Sequence, residues 1–217
     1  NTASYNDVLP SANVIFDLSD DVILRTSISQ VISRPNYSNM FAQSSQSGFN
    51  DEVGGNETFT QGNIGLAPTK ATQADAGVEW YYGEGNMVSA TYFIKDFSSF
   101  VTESLENDQQ VGIVDPVSGK DSWTLSSFDN ASGGRIEGLE LQLQHSLDSG
   151  FGIATNYTYV DAGSPAKFYA DRIGVFSDSS EHTINAVGFW ENDTFSARAA
   201  YNWRSEYMIR ESGFYGN

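Results

Sequence analysis

The 217-residue chain is 39% hydrophobic and 18% charged, with 11 Lys plus Arg against 28 Asp plus Glu and a formal net charge of −17. That balance excludes the basic stripe of a phosphate-tracking nucleic-acid surface, and zero cysteines exclude disulfides, zinc–thiolate centres and thiol nucleophiles. No apolar run reaches the roughly 18 residues of a membrane-crossing helix, while 13% aromatic residues, among them 11 Tyr and 14 Phe, are too many for a disordered chain.

Eight segments alternate apolar with polar or small residues, a period of two that predicts strands. The first covers residues 12–18. In the second, Val22, Leu24, Thr26, Ile28 and Ile32 oppose Arg25, Ser27, Ser29 and Ser33. In the third, Ala74, Ala76, Val78 and Trp80 oppose Gln73, Asp75, Gly77 and Glu79. The fourth, 88–101, is noisier. The fifth sets Leu139, Leu141 and Leu143 against Gly138, Glu140, Gln142 and Gln144. The sixth sets Phe151, Ile153, Tyr157 and Tyr159 against Gly152, Ala154, Asn156 and Thr158. After a noisier seventh at 183–190, the eighth places Phe195, Ala197, Ala199, Tyr201 and Trp203 opposite Ser196, Arg198, Asn202 and Arg204. No helix-period stretch of similar length competes.

Tight and long connections alternate strictly. The tight ones, at 19–21, 83–86, 148–150 and 192–193, are built from Gly, Asn, Asp and Ser, which supply positive φ or cap the turn with their side chains. The long ones, at 35–66, 104–131 and 162–180, are rich in Ser, Gly, Asn and Asp. An antiparallel meander therefore carries all its short turns at one end and all its long loops at the other. Soluble sandwiches scatter loop lengths over both ends and use shorter strands. Segments of about ten residues suit tilted strands crossing hydrocarbon. Aromatic residues gather near both strand ends: Phe16, Trp80, Trp190 and Phe195 by tight turns, and Tyr157, Tyr159, Trp203 and Tyr207 toward the long loops. This is the pattern of an outer-membrane barrel, apolar outside and polar inside.

Several short motifs follow one another in a familiar order. They include Leu9-Pro10-Ser11-Ala12-Asn13, Ile32-Ser33-Arg34-Pro35-Asn36-Tyr37, Gly77-Val78-Glu79-Trp80-Tyr81, Phe93-Ile94-Lys95-Asp96, Gly138-Leu139-Glu140-Leu141 and Asn156-Tyr157-Thr158-Tyr159-Val160-Asp161. The run from Ser196 to Arg204 ends the set. Together they resemble the barrel of TonB-dependent outer-membrane receptors. Gly62-Asn63-Ile64-Gly65-Leu66-Ala67-Pro68-Thr69 is similar to the family's Gly-Asn-Pro-x-Leu-x-Pro-Glu segment, departing at Ile64 and Thr69.

The resemblance implies an all-β antiparallel meander forming part of a large transmembrane barrel, whose complete form has about 22 strands. Residues 1–217 are expected to be a partial barrel, without the plug domain, TonB box or final strands. It also implies uptake of a nutrient ligand, an oligosaccharide or other complex nutrient ahead of a siderophore. Its partners are that ligand, TonB acting through the plug and box, and outer-membrane lipid, with no nucleic acid. The alternative is a complete small eight-stranded barrel with a structural or adhesin role, which requires the first and eighth strands to pair.

The polar strand faces are expected to line the lumen with Asp75, Glu79, Lys95, Glu140, Gln142, Asn156, Arg198 and Arg204. Lys95, beside Asp96, reads as half of a charge pair. In the long loops Phe41, Phe49, Phe59, Trp123, Phe128, Phe168 and Tyr169 supply aromatic faces that stack on the apolar face of a sugar ring, with flanking Asn, Gln and Asp for its hydroxyls, or pack the loops together. Phe41, Phe49, Trp123, Phe128, Phe168 and Tyr169 are the expected ligand contacts. No enzyme is expected: the two histidines, His145 and His182, fall at opposite ends and assemble no nucleophile, base and orienting group. No cofactor or metal is expected, since the oxygen-bearing groups at Asp51-Glu52 and Asp129-Asn130 lack a calcium-loop spacing. Asn156 in Asn156-Tyr157-Thr158 faces the lumen from mid-strand, unlike a glycosylation site.

Overall fold

The computed structural model describes residues 4–41, 44–47, 57–131, 133–162 and 179–207. In chain order the elements are β1 (Ser11–Ser19), β2 (Val22–Ser33), α1 (Tyr37–Met40), β3 (Ser44–Ser47), β4 (Thr58–Gln61) and β5 (Thr69–Tyr81). They continue with β6 (Met87–Gln109), β7 (Trp123–Ala131), β8 (Arg135–Ser146), β9 (Phe151–Asp161), β10 (His182–Glu191) and β11 (Ser196–Arg204). The eight alternating segments are the eight strands of one antiparallel path, β1-β2-β5-β6-β8-β9-β10-β11.

All four tight turns lie at one end of this path. Asn192 shows how they are held: its carboxamide oxygen accepts from Thr194 N at 2.9 Å and Phe195 N at 2.8 Å, while its own N–H donates to Phe195 O. Such side-chain mimicry of a turn is why Asn and Asp recur there.

Cross-strand register sorts every side chain onto one of two faces. One row of Cα partners runs Phe16, Leu24, Val78, Ala90, Leu141, Tyr157, Ile184 and Trp203. It begins close to the turn at Asp20 and Asp21 and ends beside Arg204, at the far end of β11. A row that climbs in this way means staggered, tilted strands, the geometry that closing a barrel requires. The same face leaves Phe16, Ile28, Trp80, Phe151, Tyr201 and Trp203 all more than 40% exposed. A contiguous apolar face of that size marks contact with something other than water.

The sheet is open. β1 and β11 end the strand path, and no pairing joins them among the described residues, so the closed eight-stranded alternative is not supported.

The sequence expectation also needs correction inside the long connections. β3, β4 and β7 are additional strands, β6 extends beyond the main sheet, and β4 pairs with β7 in parallel. Among the described residues neither face of the main sheet has a second layer, so the buried side chains concentrate at the long-loop end. Phe100 (0% exposed), Phe97 and Ala71 form one cluster, with Val31, Ala131, Ile136 and Ala162 packed against it.

Candidate functional site

At the long-loop end β6 continues upward, pairs with β7, and carries β4 and β3 beyond it. This small sheet has its own core. Trp123 is 1% exposed, its ring meets Phe59 edge-on at 6.1 Å, and its indole N–H donates to Ile113 O at 2.8 Å. Ser126, also buried, donates to Glu103 Oε1 at 2.8 Å.

The hairpin tip between β6 and β7 is fixed by two carboxylates. Asp121 accepts from Val111 N and Gly112 N, both at 2.9 Å. Asp115, fully buried, accepts from Val117 N at 3.0 Å and Ser118 N at 3.1 Å. Hydrogen bonds from the Ser118 side chain and from Val117 N hold the Asp115 carboxyl below the usual carboxylate range. The tip presents Val114 and Val117 outward, both more than half exposed.

The polar face of the main sheet divides into two zones. On β2 and β5 its charges are held by partners: Arg25 Nε donates to Glu79 Oε1 at 2.9 Å, Tyr81 donates to Glu79 Oε2 at 2.8 Å, and Ser27 donates to Asp75. On β8 to β11 Gln142, Asn156, Asn185 and Asn202 are successive Cα partners, a row of uncharged amides. The next row joins Glu140, Thr158, Thr183 and Arg204.

Both histidines stand on the opposite, apolar face, one at each end. His145 stacks on Tyr82 at 5.8 Å near a tight turn. His182 stacks on Tyr157 at 6.0 Å at the long-loop end, its Nδ1 hydrogen-bonded to the Tyr157 hydroxyl at 2.8 Å. With Trp80 and Trp190 at the first end and Tyr159 and Trp203 at the second, these form two aromatic belts.

Register puts Asp75, Glu79, Lys95, Glu140, Gln142, Asn156, Arg198 and Arg204 on one shared face. Two expectations change. Lys95 and Asp96 do not pair, because adjacent strand residues point to opposite faces; Asp96 binds Arg135 at 2.7 Å, and Lys95 lies 5.4 Å from the Phe97 ring centroid. Trp123 offers no free ring to a ligand, since it is 1% exposed, packs on Phe59 and donates its N–H to Ile113 O inside the small sheet. Phe41 is 60% exposed and Phe128 half-buried. Phe49, Asp51, Glu52, Phe168 and Tyr169 lie outside the described residues. Asp115 and Asp121 were missed as tip-forming groups, although Asp115-Pro116 with Gly119 is a turn signal.

Residues 1–216 match the family model described as TonB dependent receptor-like, beta-barrel. No curated protein matches. Among solved structures the chain is similar to a mutant form of the ferric enterobactin receptor PfeA of Pseudomonas aeruginosa, at 24% identity and a TM-score of 0.73, covering 92% of this chain and 28% of that one. It is also similar to the siderophore receptor PirA of Acinetobacter baumannii, at 17% identity and 0.66, covering 89% and 28%. A third likeness is to the alcaligin outer-membrane receptor FauA of Bordetella pertussis, at 16% and 0.54, covering 93% and 30%. The chain thus spans less than a third of the length of each of these structures.

Proposed function

We propose, on the premise that the chain belongs to the TonB-dependent receptor β-barrel family, that it is part of the barrel wall of an outer-membrane receptor for TonB-dependent uptake of a ferric siderophore. The observation that carries the reading is the tilted open meander, with an apolar face, a polar face and a built loop body at one end. A barrel wall needs each of these: an outer face for lipid, an inner face for water and plug, and a mouth. The family is one of transport receptors, which is why the proposal is capture and passage, not chemistry.

Siderophore is chosen over oligosaccharide because the similar solved structures include receptors for ferric enterobactin and alcaligin. The oligosaccharide preference drawn from the sequence has no support in these likenesses. In this reading Leu141 and its row meet lipid. Asp75, Glu79, Lys95, Glu140, Gln142, Asn156, Arg198 and Arg204 face the lumen, and Phe41 and Phe128 lie nearest the ligand. Phe49, Phe168 and Tyr169 remain proposed contacts on the grounds of their aromatic chemistry. TonB would act through a plug and box elsewhere in the receptor.

The test is uptake of radiolabelled ferric enterobactin by a strain carrying the full-length gene, its deletion, or the gene without TonB. Uptake that needs both supports the reading. Uptake of a labelled oligosaccharide and of no ferric siderophore, from a panel including catecholates and hydroxamates, would overturn the ligand class.

A further inference from the structure

Loops at a barrel rim are surface segments and by default move independently. The connection from β2 to β5 and the hairpin of β6 and β7 do not have that independence here. Ala67 N donates to Asn130 Oδ1 at 2.8 Å, and Asn130 Nδ2 donates back to Ala67 O at 3.0 Å. A carboxamide carries its donor and its acceptor on separate atoms of one plane, as a peptide group does, so Asn130 pairs with Ala67 as a neighbouring strand would.

Asn63 makes the reverse join. Its Nδ2 donates to Phe128 O at 2.9 Å and to Asp129 Oδ1 at 3.2 Å, while its Oδ1 accepts from Gly65 N at 2.8 Å. Asn63 N donates to Asn39 O at 2.8 Å, which ties in α1. Gly62 allows this approach: a Cβ there would fall 2.0 Å from Phe41 O. Beneath the two clamps Leu66 is 2% exposed and Phe100 is fully buried. The parallel β4 and β7 pairing and the bond from Thr124 N to Glu57 O at 2.8 Å complete the contact.

We infer that Asn63 and Asn130 are positioning residues that weld these two connections into one preformed wall of the receptor mouth, a wall that keeps its shape when ligand binds. The inference rests on the uptake reading above for what the wall faces. It assigns a task to the segment from Gly62 to Thr69, which alternation of apolar and polar residues does not explain. Ordering a loop before the ligand arrives removes that cost from binding. Any closure over the ligand is then left to other loops.

The test uses the full-length receptor freed of any other cysteines, with spin labels at Ser38→Cys on α1 and Val117→Cys on the hairpin tip. This chain itself contributes no cysteine. Pulsed dipolar spectroscopy should give one narrow distance distribution, unchanged by ferric enterobactin. Asn63→Ala with Asn130→Ala should broaden it, leave barrel assembly intact and weaken binding roughly tenfold, as expected if about a tenth of molecules hold the binding-competent wall. Asn130→Asp, which accepts from Ala67 N and donates nothing back, should broaden it less. Gln61→Cys with Ser127→Cys, Cα partners across β4 and β7, added to the double-alanine variant and oxidised to the disulfide before labelling, should restore the narrow distribution and the binding.

A broad distribution in the wild type, a shift on adding ferric enterobactin, or an equally narrow one in the double variant overturns the inference. If the double variant does not assemble, Asn130→Asp alone decides, an unchanged distribution counting against the weld. Failure of ferric enterobactin to bind the wild type sinks the choice of ligand only, because the distances in the free receptor still decide whether the wall is one body.

Discussion

Phe189 and Gly152 are Cα partners across β10 and β9, and a Cβ added to Gly152 would fall 2.1 Å from Phe189 Cζ. Phe93 and Gly138 repeat the arrangement across β6 and β8, at 2.6 Å to Cζ. Both rings belong to the polar face, where each lies over bare backbone instead of standing out into water. This is how a large aromatic group is accommodated on a face rich in amides, hydroxyls and charges.

The two glycines should differ in cost when filled. At Gly152 the obstacle is the ring, which can tilt. At Gly138 it is also Tyr159 O, 2.1 Å away and fixed in the sheet. Gly188 has nothing within 4 Å. Gly138→Ala should therefore destabilise most and Gly152→Ala less, within the range of about 1–3 kcal/mol for overpacking. Gly188→Ala should stabilise by up to about 1 kcal/mol, through the lower backbone freedom of alanine in the unfolded chain. Urea midpoints of the full-length receptor refolded into vesicles check the order, and a Gly138→Ala midpoint equal to that of Gly188→Ala would contradict it.

Lipid contact should separate two adjacent residues. Leu141 stands between its partners Ala90 and Tyr157 on the apolar face, while Gln142 lies between Ser89 and Asn156 on the polar face. An Arg at position 141 must shed its hydration or draw water into hydrocarbon, at about 2–4 kcal/mol near the bilayer midplane. At position 142 it stays solvated beside amides. Leu141→Arg should lower the folding midpoint in vesicles, with Gln142→Arg near neutral. Equal effects, or the reverse order, would mean that the faces are assigned inside out.

The eight-stranded path was legible because most of its strands keep their two faces in different environments, so alternation such as Leu139 to Leu143 survives, with more noise at 88–101 and 183–190. Turn chemistry at positions such as Asn192 then fixed which end was which. β3, β4 and β7 were not legible, because Thr58 to Gln61 is four residues long and its parallel partner, Thr124 to Ser127, lies far along the chain. Trp123 in a Ser-rich segment reads as exposed; Phe59 and Ile113, neither of them adjacent, bury it. The clamps at Asn63 and Asn130 share this character, since a carboxamide that completes a distant backbone looks the same in sequence as one that faces water. Ligand class was not legible either, because a barrel wall alternates in the same way whatever passes through it.

Acid should loosen the hairpin tip. The Asp115 carboxyl is held below its ordinary range by the Ser118 side chain and by the backbone at Val117 and Ser118. A carboxylate with a depressed folded pKa stabilises fully above its unfolded value of about 3.9 and loses that contribution as pH falls through the lower folded value. The sign is therefore loss on acidification, confined to pH below about 4. Exchange protection of the Val117 and Ser118 amides should fall over that window while the strand amides of β8 and β9 hold. In Asp115→Asn protection at the tip should start lower and stay flat with pH. A tip that loosens equally in that variant would assign the titration to another group.

Ligand capture should depend on the exposed loop aromatics and not on the buried one in the same way. Phe41 is 60% exposed and Phe128 half-buried, whereas Trp123 is enclosed by Phe59 and bonded to Ile113 O. Phe41→Ala with Phe128→Ala removes stacking surface and leaves the Trp123 core in place. Each aromatic contact is worth about 0.5–1.5 kcal/mol beyond its buried area, so the double variant should weaken ferric enterobactin binding by roughly tenfold with an unchanged thermal midpoint. Trp123→Phe keeps much of the ring and loses the bond to Ile113 O, leaving that carbonyl short of a donor in a buried site, at about 1–3 kcal/mol. It should lower the local stability of the β6 and β7 hairpin, read by amide exchange, and affect binding only in proportion. Normal exchange with lost binding in Trp123→Phe would return that residue to the ligand surface and take it out of the core.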